Sequence, residues 1–251
     1  MNARTLRMRL AAGKPLRGAL LRVPGEELVE MAGVAGLDFL VLDCEHGPSD
    51  VLEVRRHIVA AHTHAVPVLV RVGEQDGRLI QRVLDHGAAG IVVPHVDSPA
   101  DAVGAVAATR YPPEGHRGFA TYGRAGRYGT VSPADHLAAA ADTLLIVMIE
   151  TQRGVEQAAD ILTTPGIDGV MAGPADLAIT LNAPPGGQEV RTAITQVHEA
   201  AATTGRLRMD IVASSDAAEN AINDGCMLVV HNLTAHLMGL LHTLAQSAKQ
   251  A

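Results

Sequence analysis

Aromatic side chains are almost missing from this sequence: there is no Trp, and there are only three Tyr and two Phe. A chain without stacking platforms is a poor reader of single-stranded nucleic acid. Its formal net charge of −7 argues the same way for nucleic acid in general and for an anionic membrane. Cysteine is scarce too: Cys44 and Cys226 fall in no CxxC or zinc-ligand spacing, and both lie beside apolar runs. Buried thiols in a reduced, cytoplasmic protein are the expectation. The two lysines, Lys14 and Lys249, follow no internal apolar run, which removes the usual imine-forming nucleophile. No apolar run approaches the roughly 20 residues of a membrane span. The first 25 residues carry six basic side chains, from Arg4 to Arg22, and no acid. They merge into Gly18-Ala19-Leu20-Leu21 without a cleavage-like site, so a basic surface helix before a first strand fits better than a transit peptide.

What is present is aliphatic. Hydrophobic residues make up 47% of 251 positions, enough for one large core of Ala, Val, Leu, Ile and Met in a single domain over residues 1–251. Strand-like runs fall at 18–22, 38–43, 67–72, 89–93, 144–149, 167–172, 207–212 and 226–230. Helix-compatible stretches lie between them: 51–61, 76–85, 99–109, 155–162, 189–203, 216–223 and 233–245. Alternation of this kind implies a parallel sheet covered by helices, and eight units in this length predict an α/β (β/α)8 (TIM) barrel. An open doubly wound sheet is the alternative, although no GxGxxG follows the first strand. Two segments break the rhythm: 111–132, rich in Gly, Arg and Pro, and the turn-rich 182–187.

Catalytic groups of parallel barrels come from the carboxyl ends of strands. Reading those ends gives Asp43, Cys44, Glu45 and His46, then Arg71, then Pro94, His95 and Asp97, then Glu150, then Gly173-Pro174-Ala175-Asp176. Glu150 and Asp176 close successive apolar runs and supply oxygen ligands suited to Mg²⁺ or Mn²⁺. A carboxylate at a helix start is the competing explanation for each. Arg71 ends a buried strand, where its fork either clasps a substrate carboxylate or closes an internal salt bridge. His46, beside Asp43 and Glu45, suits a general base, or is a satisfied loop histidine. Gly173-Pro174 presents backbone N–H groups to an anion or is a plain turn. His57, His62, His64, His136, His198 and His242 fall on helices or their ends and are expected at the surface. His95, His231 and His236 approach the rim without an assigned role.

At these residues the chain resembles the HpcH/HpaI aldolase family, metal-dependent pyruvate aldolases that cleave 4-hydroxy-2-oxo acids. The resemblance rests on Phe39 to His46, Pro67 to Arg71, Val83 to Ala88, Tyr111 to Gly118, Arg124-Ala125 with Arg127-Tyr128-Gly129, Ile149-Glu150, and Gly166 to Val170 into Gly173 to Leu177. The motifs stand in the family's order over about residues 15–225. The resemblance implies a barrel whose last helix is exchanged with a neighbour, in a homo-hexamer (a trimer of dimers). It implies a divalent metal (Mg²⁺, Mn²⁺ or Co²⁺) on Glu150 and Asp176, with Glu45 holding metal-bound water. Arg71 anchors the pyruvate carboxylate, and His46 is the acid/base, supported by Asp43 and by Asp85 of an adjacent subunit. Gly173, Pro174 and Ala175 contact the pyruvate end, and Val212 lies in the segment 208–215 that shapes the acceptor pocket. The chain departs from the family after the last strand, where Val230-His231-Asn232-Leu233-Thr234 replaces a turn containing Gly and Asp.

The reading that follows is retro-aldol cleavage, or its reverse, through a pyruvate enolate stabilised by the metal as Lewis acid. The partners are a small 2-oxo acid and an aldehyde, with no nucleic acid and no membrane. Rival readings are a carbon–carbon lyase acting on an acyl-CoA or on oxaloacetate, and a non-catalytic barrel that binds 2-oxo acids.

Overall fold

The computed structural model describes residues 3–48, 50–73 and 76–247. Lys249 lies outside the described residues. The strands are β1 (Leu16–Leu21), β2 (Phe39–Asp43), β3 (Val68–Arg71), β4 (Gly90–Val93), β5 (Leu144–Ile149), β6 (Gly169–Ala172), β7 (Leu207–Val212) and β8 (Leu228–Asn232). Each pairs in parallel with the next, and β8 returns to β1, closing the expected eight-stranded barrel. The helices are α1 (Ala3–Ala11), α2 (Glu26–Val34), α3 (Val51–Thr63), α4 (Gly77–Asp85), α5 (Pro99–Thr109), α6 (Pro133–Ala141), α7 (Gln152–Glu156), α8 (Ala158–Thr163), α9 (Pro174–Thr180), α10 (Gln188–Thr204), α11 (Ser215–Asn223) and α12 (Leu233–Ser247). The helix expected over 155–162 is two short ones, broken at Gln157, whose φ of −105° and ψ of 8° leave the helical region.

Strand periodicity divides the core in two. Leu16, Leu20, Phe39, Val41, Leu69, Val92, Leu144, Ile146, Met148, Met171, Met209, Leu228 and Val230 fill the barrel interior. Leu6 and Leu10 of α1 join this cluster and plug the amino-terminal end. The alternate positions, among them Leu40, Leu42, Val68, Val70, Ile91, Val93, Leu145 and Val147, pack outward under the helices. Fully burying side chains of this size contributes about 1.5–3 kcal/mol each, so the interior is closed where α1 sits and polar only where the strands end.

Two of the histidines expected at the surface are buried. His57 is 1% exposed, its Nε2 accepting the Gly25 N–H at 2.9 Å while Nδ1 meets the Glu53 carbonyl at 2.7 Å. His136 is 4% exposed and meets the Tyr111 hydroxyl at 3.0 Å. Both are helical polar groups that found buried partners, which helical position alone does not reveal. Among the described residues no helix is long and apolar enough to cross a membrane.

Candidate functional site

The inward parity of each strand carries its terminal polar residue to the mouth of the barrel. Phe39 and Val41 lead to Asp43, Leu69 leads to Arg71, and Leu144, Ile146 and Met148 lead to Glu150. Asp43 and Arg71 are register partners across β2 and β3. Their side chains form a bidentate pair, Arg71 Nε donating to Asp43 Oδ1 at 2.9 Å and Nη2 to Oδ2 at 2.5 Å. Arg22, which strand-end reading did not flag, donates its Nε to Asp43 Oδ2 at 2.8 Å. Burial opposes ionisation of Asp43, but the hydrogen bonds and charge of Arg71, with Arg22, outweigh it and hold the carboxyl below its ordinary value. Burial likewise opposes the Arg71 charge, and Asp43 more than offsets it.

The remaining Arg71 nitrogen is not spent on Asp43. Nη1 lies 2.9 Å from Glu45 Oε2 and 3.9 Å from Met148 Sδ. The Glu45 contact is an ion pair without hydrogen-bond alignment, and Oε2 is buried with no hydrogen-bond partner. Glu45 Oε1 stands 3.5 Å from His95 Nε2, and His95 Nδ1 stands 3.3 Å from Glu150 Oε1. One ligand atom from each of Glu45, His95 and Glu150 lies within 4.8 Å of the others. Glu150 is 1% exposed, and its carboxyl is pushed above its ordinary value by burial, with the charges of Glu45 and Asp176 adding to the effect and the His95 N–H opposing it. A buried carboxylate orphan beside mutually repelling acids fits a cation, so this donor set suits a divalent metal.

Asp176 sits in the first turn of α9, half-buried, close enough for its charge to act on Glu150. Gly173 is required here by close approach: a Cβ on it would collide with Glu150 Oε2 and lie 2.6 Å from Glu150 Cβ. The Gly173 N–H is spent on the Ile149 carbonyl at 3.0 Å, and Pro174 has none, so the donors left at this helix start are those of Ala175 and Asp176. The His46 imidazole is largely exposed, with Nε2 4.0 Å from Glu45 Oε2. Asp43 supports His46 through the backbone, Oδ1 accepting the His46 N–H at 3.2 Å.

Two expected site residues stand elsewhere in the same chain. Asp85 ends α4 and therefore lies at the amino-terminal end of the barrel, where it pairs with Arg117 at 2.8 Å. Val212 points outward into a cluster with Ala218, Ala221, Cys226 and Val229. Cys226 is buried and Cys44 half-buried, and burial pushes both thiols up to about 12, so neither is a ready nucleophile.

Residues 21–233 match the sequence profile of a known family. The chain belongs to the HpcH/HpaI aldolase/citrate lyase family. Its members are carbon–carbon lyases, and this chain is one of them. It is 40% identical over 188 residues to the pyruvate aldolase of Rhizobium etli, covering 74% of each chain. It is 42% identical over 154 residues to the 5-keto-4-deoxy-D-glucarate aldolase of Salmonella gallinarum, covering 61% of this chain and 59% of that one. The fold is that of a HpcH/HpaI family protein from Burkholderia cenocepacia, with a TM-score of 0.90 at 31% identity over 98% of this chain and 99% of the other.

Proposed function

We propose that this HpcH/HpaI protein is a divalent-cation-dependent aldolase that cleaves, or in reverse forms, a 4-hydroxy-2-oxo acid, with pyruvate and an aldehyde as the other partners. The observation that carries the reading is the convergence of Glu45, Glu150 and Arg71 inside one barrel mouth. The identity with a pyruvate aldolase supports the choice of 2-oxo acid.

In this reading Glu150 and Asp176 would hold the cation (Mg²⁺, Mn²⁺ or Co²⁺), and Glu45 would order the water around it. When bound, the cation supplies Lewis acidity toward the 2-oxo group. Arg71 Nη1, the one guanidinium nitrogen not spent on Asp43, takes the substrate carboxylate as Glu45 turns away. The Ala175 N–H at the start of α9 steadies the same end. Asp43 holds the Arg71 fork and the His46 backbone in place, so its role is positional. The His46 imidazole, open to solvent at the mouth, removes the proton of the C4 hydroxyl. The C3–C4 bond breaks, the aldehyde leaves, and the electron pair left on C3 delocalises into the 2-oxo group. Protonation at C3 then gives pyruvate.

The single closed barrel supports one catalytic domain over 1–251, and two cysteines free of any disulfide suit a cytoplasmic setting. Asp85, at the far end of its own barrel, reaches a mouth only in a neighbouring copy, consistent with a homo-hexamer. Exposed Met238, Leu240, Leu241 and Leu244 on α12, a helix without an Asp, Glu, Lys or Arg in its described span, support exchange of that helix between copies.

Exchange of pyruvate methyl protons in D₂O tests the reading. Exchange that requires Mg²⁺, Mn²⁺ or Co²⁺ and stops with chelator is expected, and Arg71→Ala should raise the pyruvate concentration needed. Folded, metal-supplied protein that exchanges no protons would remove the proposal.

A further inference from the structure

His95 follows Pro94 at the carboxyl end of β4, and its backbone is in the left-handed region at φ 52°. That region is uncommon for a residue with a side chain and persists where the surroundings demand it. Here it turns the His95 N–H onto Glu150 Oε1 at 2.8 Å and swings the ring between two acids. Nδ1 then lies 3.3 Å from Glu150 Oε1 and Nε2 3.5 Å from Glu45 Oε1.

Both spacings are long for a charge-assisted hydrogen bond, which closes to about 2.7–2.9 Å. The spacing from Nδ1 to Glu150 Oε1, 3.3 Å, instead matches the separation of two ligand atoms on one ion. With bonds of about 2.1 Å, neighbouring octahedral positions are about 3 Å apart and opposite ones about 4.2 Å. A neutral imidazole donates from only one nitrogen: with the proton on Nε2, toward Glu45, Nδ1 directs its lone pair at Glu150 Oε1 unless a cation stands between them.

We infer that His95 is a nitrogen ligand of the cation, making the centre a mixed imidazole–carboxylate site selective for late first-row divalent metals over Mg²⁺. The inference rests on the cation-dependent reading above and refines which ion that site takes. A cradle of carboxylates and waters alone suits Mg²⁺, and imidazole shifts preference along the order in which Co²⁺ binds more tightly than Mn²⁺. His95 is 47% exposed on its side chain, so the ring has room to turn its nitrogen toward an entering ion.

The test uses the full chain, stripped with chelator and then loaded with one metal at a time. With Mn²⁺ bound, pulsed electron paramagnetic resonance should show ¹⁴N coupling characteristic of imidazole in the wild type and in His46→Gln, and none in His95→Gln. The ratio of Co²⁺ to Mg²⁺ affinity, from calorimetry, should fall about 10- to 100-fold in His95→Gln, with the far-ultraviolet spectrum unchanged. Wild-type protein that binds Mn²⁺ without ¹⁴N coupling, or a His95→Gln ratio equal to wild type, overturns the inference and leaves the aldolase reading standing. Protein that binds none of these ions overturns both.

Discussion

The two ends of this barrel handle charge in opposite ways. At the amino-terminal end, Asp168 Oδ2 accepts Arg7 Nη2 and the Leu145 N–H, each at 2.8 Å, with Arg110 Nη2 at 3.5 Å. The donors left over are taken by carbonyl oxygens: Arg7 Nε by Asp142 at 2.8 Å, and Arg110 Nη1 by Thr143 at 3.0 Å. Cations exceed acids there, and backbone oxygens absorb the difference. At the carboxyl end the surplus is acidic: among the described residues, Asp43, Glu45, Glu150 and Asp176 are met by two permanent cations, Arg71 and Arg22. No backbone group near Glu45 Oε2 satisfies it. The Asp168 network is closed and structural, whereas the open acidic group at the mouth suits a cation that is not part of the chain. Positions on the two ends should therefore fail differently when changed.

The largest expected effect is at the joint between structure and site. Asp43 is wholly buried and holds two guanidinium groups. Asp43→Asn removes the bidentate counter-charge of Arg71 and leaves it Glu45 alone at 2.9 Å, a class of change that costs up to about 3–5 kcal/mol. Urea unfolding at neutral pH measures it. Because the Asp43 carboxyl lies below the ordinary value of 3.8, its contribution is complete above that pH and is lost as pH falls through the lowered value. The gap between wild type and variant should accordingly narrow in strong acid. A variant as stable as wild type would show that Arg71 does not depend on its partner.

Next comes the direct contrast between ends. Glu150→Gln keeps the shape of the mouth and removes one charge from a crowded acidic group. It should lower divalent-cation affinity by at least about 100-fold, since even groups that merely support a ligand are worth 10–100-fold. Asp168→Asn should do the reverse, leaving cation affinity unchanged while costing about 1–3 kcal/mol of stability through unsatisfied buried donors. Calorimetric titration and chemical denaturation of both variants separate the two roles. Equal effects on affinity would mean the ends are not independent.

Much of this division is legible in the sequence because strands have a period of two. Once β5 is placed at Leu144 to Ile149, Glu150 must continue its inward series, and the same parity puts Asp43 and Arg71 beside it. Helices were harder. α6 carries Ser132 as an N-cap on the Asp135 N–H and Pro133 at its first position, a clear start signal, yet its Ala-rich body has no apolar stripe to read. α2 starts without a side-chain cap, and α9 is seven residues long behind an uncapped Gly173. At the site, His95 shared the strand-end signal of Glu150, but its role depends on a left-handed φ that no residue type announces. Arg22 and the buried His57 were hidden for a related reason: their partners, Asp43 and Gly25, are 21 and 32 residues away. Pairings of that kind become visible only once the chain has closed.

The smallest expected effect is the most local. Gly173 has an ordinary backbone conformation, φ −97° and ψ 91°, so alanine is permitted there by torsion alone. Space forbids it, because the added Cβ would meet Glu150 Cβ at 2.6 Å and its Oε2 closer still. The carboxylate is the freer of the two partners, since β5 is locked between β4 and β6 by parallel pairing. Gly173→Ala should therefore shift the Glu150 side chain and leave the barrel intact. Cation affinity should drop about 10-fold, the scale of a misplaced supporting contact, while the unfolding midpoint changes little. A matched substitution at the amino-terminal end, Gly13→Ala, meets no atom within 4 Å and so lacks this clash, but its φ of 71° is strained for alanine. It should lower stability slightly and leave cation binding alone. If Gly173→Ala instead destabilised the fold without touching affinity, the close approach at the mouth would be packing, and the acidic surplus would lose one of its positioning elements.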